Sequence, residues 1–175
     1  MVTITVRPVA PPHGVSEQHR AGRAAAAAAL SRAGAPRRSV PRAPDGRPLF
    51  PPAFPGSISH TDRVAVAAVL PGASGVGVDV ESADIDARVA RFVFDERERA
   101  ELLDPGDPRL TRAMYSAKEA AFKAFSTLKG RKSKLFWQIR LQHSSDGLIA
   151  RDGRHEARVW VHPDPEFALA LAVCL

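Results

Sequence analysis

The chain has 175 residues and a formal net charge of +6, and hydrophobic residues make up 45% of it. This length and apolar content fit one globular unit with an adequate core, and no apolar run approaches the ~20 residues needed to span a bilayer. Cys174 is the single cysteine, which excludes a disulfide framework and a cysteine-rich zinc site. The start of the chain has no signal-peptide pattern, so we expect a cytoplasmic protein.

The first elements predicted along the chain are a strand and a helix. Residues 3–6 alternate between polar and apolar side chains, as a short strand does. Ser16 is expected to cap a helix that runs to about Arg32, and Gly34 to end it in the C′ position. The alanine run at 24–29 has high helix propensity and needs no functional explanation.

A proline-rich segment separates that helix from two predicted strands. Seven prolines between 36 and 55 exclude helix interiors and central strands there, and favour an extended loop. The apolar run at 64–70 predicts a buried strand, and the segment at 75–81 predicts the next one.

The second half of the chain predicts helices followed by strands. Two short helices are expected at 85–91 and 96–103, the second capped by Asp95. Asp107 and Pro108 begin a long helix over about 109–128, which has apolar side chains at helical spacing. Beyond it we expect only strands and turns: an alternating strand at 135–141, turns at 146–147 and 152–153, and strands at 156–161 and 167–173.

Two carboxylates stand at alternate positions of the strand predicted at 75–81. Asp79 and Glu81 project from the same face, because side chains alternate across a strand. An acid-x-acid triplet is more often an ordinary exposed strand face. A buried strand that ends in two same-face carboxylates, however, suffers repulsion and desolvation unless a cation lies there. Magnesium suits this position, since it takes oxygen ligands and bridges carboxylates to substrate phosphates.

The long predicted helix carries a second group of charges. Glu119 and Lys123 lie one turn apart and share a stripe, with Lys118 beside it. A surface ion pair that contributes a few tenths of a kcal/mol explains this spacing equally well. Together with Asp79 and Glu81, these residues give three carboxylates and two ammonium groups that can converge where strand meets helix. Such a group is equipped to hold a divalent cation and a polyphosphate.

Two other polar segments have more than one interpretation. His60 follows Ser57 and Ser59, and either satisfies its own loop or donates to a phosphate. No nucleophile elbow accompanies it, so a Ser-His-Asp hydrolase is not supported. The cationic run at 129–134 is typical of a solvated loop and equally suits the steering of an acidic protein.

Taken in order, these segments resemble the 4′-phosphopantetheinyl transferase superfamily, most closely the monomeric type that serves siderophore, peptide and polyketide synthases. Four blocks carry the resemblance: the basic helix from Gly22 to Gly34, the Pro-Leu-Phe-Pro to Gly-Ser-Ile-Ser-His block at 48–60, Gly-Val-Asp-Val-Glu at 77–81, and Ser-Ala-Lys-Glu-Ala-Ala-Phe-Lys at 116–123. Departures from the family pattern are Phe50 for Trp, Ala53 for Gly, and Tyr115 for Trp or Phe.

The resemblance implies a magnesium-dependent transfer from coenzyme A. Asp79, Glu81 and Glu119 would ligate Mg²⁺, or Mn²⁺ in its place. Glu119, or a water that it orients, would deprotonate the serine hydroxyl of an apo carrier protein. Asp79 and Lys123 complete the catalytic set. The serine oxygen would attack the β-phosphate and release 3′,5′-ADP.

The resemblance also implies how coenzyme A is held. Lys118 and Lys123 would contact its pyrophosphate, and Ser59 with His60 its phosphates. Arg23, together with Arg47 or Arg20, would meet the 3′-phosphate.

The implied fold is α+β, with two similar halves related by pseudo-twofold symmetry in one compact unit. The predicted halves are residues 1–83 and 84–175. An internal echo agrees, since His-Thr-Asp precedes the apolar run at 64–70 and His-Pro-Asp precedes the run at 167–171. The expected protein is a monomer whose partners are coenzyme A and acidic acyl or peptidyl carrier proteins, with no membrane or nucleic acid involved.

Two alternatives remain open on the residues alone. A non-catalytic module that binds coenzyme A or another anion would use the same acids structurally. A basic nucleic-acid-binding domain would bind DNA or RNA with a steep salt dependence that survives Asp79→Ala. The second is less favoured, because only 6% of residues are aromatic and no stacking motif is present.

Overall fold

The computed structural model describes residues 1–128, 135–145 and 147–174, which form two antiparallel sheets with helices packed on them. The elements in chain order are β1 Thr3–Pro8, α1 Val15–Arg32, β2 Gly56–His60, β3 Val64–Val69, β4 Gly75–Glu81, α2 Ala87–Val93, α3 Glu96–Leu102, α4 Pro108–Ser126, a 3₁₀ turn Phe136–Gln138, β5 Arg140–Ser144, β6 Gly147–Asp152, β7 His155–Pro163 and β8 Ala168–Cys174. The α+β prediction is confirmed. Among the described residues, no helix combines the length and apolar character needed to cross a membrane.

The first sheet has the strand order β1-β3-β2 and carries α1 on one face. Side chains of β3 alternate between two environments, as the strand period requires. Ala67 and Val69 face α1, whose alanines allow the helix to lie close, whereas Val66 and Ala68 face the second sheet. This alternation explains why the run at 64–70 is apolar without interruption.

The second sheet has the order β4-β8-β7-β6-β5 and carries α4. β4 pairs antiparallel with β8 from Gly75 opposite Cys174 to Glu81 opposite Ala168. β4 is an edge strand of this second sheet, and the predicted division of the chain at 83/84 stays a prediction. Valines on its other face share a core cluster with β3, and this cluster joins the two sheets.

Two glycines of β4 determine how closely α4 approaches. A Cβ on Gly77 would lie 1.8 Å from the carbonyl oxygen of Ala120, and one on Gly75 would lie 2.5 Å from that of Ala124. Both distances are far inside van der Waals contact, so only glycine allows this packing. Because Asp79 is the next residue on the same face of the strand, its carboxylate is directed at α4.

Several predicted boundaries need correction. Helix α1 begins at Val15 behind Gly14, so Ser16 lies inside the helix and does not cap it. Residues predicted as an alternating strand at 135–141 first form the 3₁₀ turn, in which the Gln138 side chain accepts the Leu135 amide at 3.3 Å. The caps at Asp95 and Asp107 are confirmed. The cationic run at 129–134 and residue 146 lie outside the described residues.

Candidate active site

A buried carboxylate joins β4, β2 and α4. The Oδ1 atom of Asp79 accepts from Ser59 Oγ at 2.8 Å and from Lys123 Nζ at 2.7 Å, while its Oδ2 accepts from Ser116 Oγ at 2.9 Å. Asp79 is only 6% exposed, so two hydroxyls and one ammonium satisfy an almost dry anion. Lys123 Nζ also donates to Ser59 Oγ at 2.9 Å and to the Val78 carbonyl at 3.1 Å. The three elements are therefore tied together at one point.

The other two predicted acids surround this point. Burial raises the pKa of Glu119, the charges of Asp79 and Glu81 raise it further, and Lys123 opposes them. Tyr115 lies one turn earlier on α4, and its pKa is raised by burial and then by Glu119, Glu81 and Asp79. Asp79 and Glu81 are thus close enough to Glu119 for their charges to disfavour its ionised form. We call Asp79, Glu81, Glu119 and Lys123, with Ser59 and Ser116, the acid group.

The fit of a metal to this group rests on the chemistry of its donors. Among the described residues, no three side chains of His, Cys, Asp or Glu stand together at metal-binding distance. Glu81 Oε1 accepts from the amides of Ser82 and Ala83, each at 2.9 Å. Mg²⁺ and Mn²⁺ prefer oxygen donors such as carboxylates. A divalent cation would also relieve the repulsion that Asp79 and Glu81 exert on Glu119. The acids fit the ion chemically, and their assignment as ligands stays a prediction.

Lys118 does not join the acid group. Its Nζ donates to Glu98 Oε2 at 2.8 Å and to the Val93 carbonyl at 2.7 Å, and it lies 5.0 Å from the centroid of the Phe94 ring. The Lys118 side chain is 0% exposed. The structure therefore turns the Lys118 ammonium away from the acids at which the pyrophosphate was expected. Adjacent helical residues point about 100° apart, so Lys118 faces the α2–α3 side when Glu119 faces β4.

A cleft of about 400 Å³ opens beside the acid group, between α1, the end of β2 and the proline-rich loop. We call it the basic cleft because of its lining residues: His19, Gly22, Arg23, Val40, Pro41, Arg42, Gly46, Pro48, Ile58 and His60. It offers two guanidinium groups and two imidazoles to a ligand, and these suit phosphate oxygens.

His60 stands between the basic cleft and the acid group. Burial lowers its pKa and the charges of His19 and Lys123 lower it further, whereas a hydrogen bond with the His60 backbone and the charge of Asp79 partly offset these effects. The rings of His19 and His60 meet edge to face, with centroids 5.9 Å apart. A cation-rich neighbourhood that disfavours a further proton is a favourable place for an anion.

The arginines predicted to bind the 3′-phosphate lie in different places. Arg23 lines the basic cleft, whereas Arg47 is engaged elsewhere: its Nε bonds Asp45 at 2.7 Å and its Nη1 donates to the Ser126 carbonyl at 2.9 Å. Arg20 is not among the residues that line the cleft. Arg47 thus holds the proline-rich loop to the end of α4 in this structure, and Arg23 is the better-placed candidate.

Sequence reasoning missed four residues of the site. Ser116 begins the helical block at 116–123 and Tyr115 directly precedes it, but no spacing rule indicates that a serine buries its hydroxyl on Asp79. His19 lies one turn before Arg23 on α1, which a helical projection would show. Arg42 lies in the proline-rich loop, where no periodicity predicts the direction of a side chain.

Two family models match the chain. The 4′-phosphopantetheinyl transferase N-terminal domain matches residues 16–70, and the 4′-phosphopantetheinyl transferase superfamily matches residues 75–173. The chain belongs to the 4′-phosphopantetheinyl transferase superfamily. The division between the two models falls in the connection between β3 and β4, in agreement with the sheet order.

Two relatives and two solved structures are similar to parts of this chain. Enterobactin synthase component D of Salmonella typhi is 38% identical over 142 residues, which cover 75% of this chain and 58% of the relative, and the Salmonella typhimurium protein gives the same values. This superfamily member therefore spans less than two thirds of the relatives' length. The Mycobacterium tuberculosis acyl carrier protein synthase structure has a TM-score of 0.45 and 25% identity, covering 58% of this chain and 96% of its own. The Thermotoga maritima holo-[acyl-carrier-protein] synthase has a TM-score of 0.36 and 23% identity, covering 58% and 62%.

Proposed function

We propose that this superfamily member transfers the 4′-phosphopantetheine group of coenzyme A to a serine of an apo acyl or peptidyl carrier protein, with Mg²⁺. The observation that carries the proposal is the acid group, in which buried Asp79 is paired with Lys123 at 2.7 Å and two further carboxylates lie nearby. Its position beside the basic cleft supports a substrate that combines a diphosphate with a second phosphate. Coenzyme A has this distribution of charge.

Binding is assigned to the cleft and to Lys123. Arg23, Arg42 and His60 line the cleft, and we assign the phosphates of the nucleotide end to them. Lys123 is bonded to Asp79 and Ser59, and its ammonium would exchange a partner for a diphosphate that approaches Asp79. The paired hydroxyls hold Asp79 in place while Lys123 changes partner.

The chemical step needs a proton acceptor and stabilisation of the leaving group. The serine Oγ of the carrier attacks the β-phosphorus, the bond from that phosphorus to the bridging oxygen breaks, and 3′,5′-ADP leaves with the electron pair. Glu119, or a water that it orients, takes the serine proton, and its raised pKa favours this role. Lys123 donates to the leaving phosphate, on which charge builds. A divalent cation held by Asp79, Glu81 and Glu119 would neutralise the diphosphate.

The partner is proposed to be acidic. The formal charge of +6 favours an anionic surface, and Arg88 and Arg91 are exposed on α2, in the segment that follows the acids of β4. A monomer in the cytoplasm, where coenzyme A and apo carrier proteins meet, completes the proposal. Size-exclusion chromatography with light scattering tests the monomeric state.

The transfer is tested by incubating the purified chain with coenzyme A, Mg²⁺ and a panel of apo acyl and peptidyl carrier proteins. Mass spectrometry should show the carrier serine gaining one phosphopantetheinyl group, and omission of carrier should leave coenzyme A intact. Chelation of the metal with EDTA tests its requirement separately. Binding of coenzyme A without any adduct on any carrier would instead identify a non-catalytic binding module.

A further inference from the structure

A second charged pair lies buried behind the acid group. Lys118 and Glu98 have side chains that are 0% and 4% exposed, and their charged atoms are 2.8 Å apart. Glu98 also accepts from the Leu141 amide at 2.7 Å and from the Asp95 amide at 3.0 Å. Lys118 donates in addition to the Val93 carbonyl. One ion pair therefore joins the end of α2, the start of α3, the middle of α4 and the start of β5.

The pair is adjacent in sequence to Glu119. On one side of α4, Lys118 is anchored to Glu98. On another side, the backbone rests against Gly77, where even a methyl group has no room. Because neighbouring helical residues point about 100° apart, fixing Lys118 fixes the direction of Glu119.

Stability alone gives a weak reason for such a pair. A buried ion pair can often be exchanged for apolar side chains of similar volume with no loss of stability. Its hydrogen-bonding geometry, in contrast, specifies one rotation and one axial position of α4, since Lys118 and Glu98 each satisfy several partners in fixed directions.

We propose that Lys118 and Glu98 form a positioning pair, which orients α4 so that Glu119 faces Asp79, and that Lys118 is not a contact of coenzyme A. This inference rests on the proposed function for its kinetic test. It assigns the lysine of the Ser-Ala-Lys-Glu block to the scaffold and leaves Lys123 as the lysine of α4 that meets phosphate.

The test compares matched variants of one helix and its anchor. Lys118→Met keeps the side-chain length and removes the charge, Glu98→Gln keeps an acceptor for Leu141, and Lys123→Met is the control for a phosphate-binding lysine. Transfer kinetics are measured over a range of coenzyme A concentrations, well below the melting temperature of each variant. Because misplacing a reacting group by 1 Å can cost about 100-fold, we expect kcat to fall roughly 10–100-fold in Lys118→Met and Glu98→Gln. The KM for coenzyme A should stay unchanged in both and rise in Lys123→Met.

Each of the other outcomes contradicts the proposal that Lys118 and Glu98 position α4. A raised KM for coenzyme A with unchanged kcat in Lys118→Met would make Lys118 a ligand contact, and wild-type kinetics with a lower melting temperature would make the pair merely structural. If Lys118→Met fails to fold, the kinetics of Glu98→Gln test the proposal instead. Glu98 lies away from the acid group, so a lower kcat in this variant can arise only from a changed position of α4. If the wild type transfers nothing, the proposed function fails, but crystal structures still test the positioning role of the pair. The distance between the Glu119 and Asp79 carboxylates should increase in Glu98→Gln, and an unchanged distance contradicts the inference.

Discussion

The acid group and the basic cleft are neighbours that differ in burial and in the regularity of the elements that carry them. Asp79 is buried, and its three partners lie on regular elements at 2.7–2.9 Å. Arg23 and Arg42 are exposed, and one wall of their cleft is an irregular proline-rich loop. A fixed, dry centre suits groups that must meet a reacting atom, whereas an open cleft suits groups that hold a ligand by charge. Variants of the carboxylates in the acid group should therefore change kcat, and variants of the arginines in the basic cleft should change KM.

Asp79→Asn is expected to have the largest effect. The change keeps the shape of the side chain but removes the charge that holds Lys123 and that would ligate a cation. We predict a loss of transfer of roughly 1,000-fold or more, in line with the loss of several kcal/mol of transition-state stabilisation. Coenzyme A binding, measured by isothermal titration calorimetry, should weaken far less, because the basic cleft is intact. Wild-type turnover by this variant would remove Asp79 from the site.

Glu119→Gln should separate chemistry from stability. Loss of a general base costs about 100–10,000-fold in rate. Burial and the charges of Asp79 and Glu81 raise the pKa of Glu119, so its ionised form costs folding free energy above its unfolded pKa, near the ordinary value of 4.5. Gln removes that cost, and thermal melts at pH 7 should show an equal or higher melting temperature. A clear decrease would mean that Glu119 is satisfied by bonds that stabilise the fold.

Arg23→Gln should change KM alone. A hydrogen bond to a charged group contributes about 1.5–3 kcal/mol, so the KM for coenzyme A should rise roughly 10–100-fold with kcat preserved. Coenzyme A that lacks its 3′-phosphate should bind wild type and Arg23→Gln equally, if Arg23 meets that phosphate. Arg20→Gln is the matched control on the same helix, and an equal effect of both changes would indicate general charge rather than a specific contact.

His60 should show the smallest effect, a shift in its titration. Its pKa is lowered from 6.5 by burial and by the charges of His19 and Lys123, with Asp79 opposing. A bound phosphate favours the protonated ring, so 3′,5′-ADP should raise the pKa, and affinity for coenzyme A should increase as pH falls below 6.5. Proton NMR of the ring, assigned by its loss in His60→Gln, measures both values. An unchanged pKa on ligand addition would place His60 outside the phosphate site.

Much of the acid group was predictable because it depends on short-range periodicity. Alternation along β4 puts Gly75, Gly77, Asp79 and Glu81 on one face, and the helical period puts Glu119 and Lys123 on one stripe. The glycines then explain why strand and helix lie close enough for these charges to meet. Local pattern and tertiary packing agree for Asp79 and Lys123, whose charged atoms lie 2.7 Å apart.

The predicted positions of Lys118 and Arg47 differ from the structure because residues elsewhere in the chain bind these two side chains. Lys118 lies beside the stripe that Glu119 and Lys123 share. Its partner Glu98, however, lies on a short helix 20 residues earlier, and the buried pair turns the Lys118 ammonium away from Asp79 and Glu119. Arg47 is flanked by residues of the basic cleft, yet Asp45 and the end of α4 take its guanidinium. Long, flexible cationic side chains choose among such partners, and sequence spacing does not rank them.

The central claim is that the acids of β4 and α4 share a divalent cation beside a cleft that holds coenzyme A. A crystal structure with Mn²⁺ and coenzyme A, with anomalous diffraction measured for manganese, tests it most directly. We predict a manganese peak contacted by Asp79, Glu81 and Glu119, with the diphosphate reaching Lys123 and the 3′-phosphate reaching Arg23. Manganese bound elsewhere, or a diphosphate held by Lys118, would contradict the account.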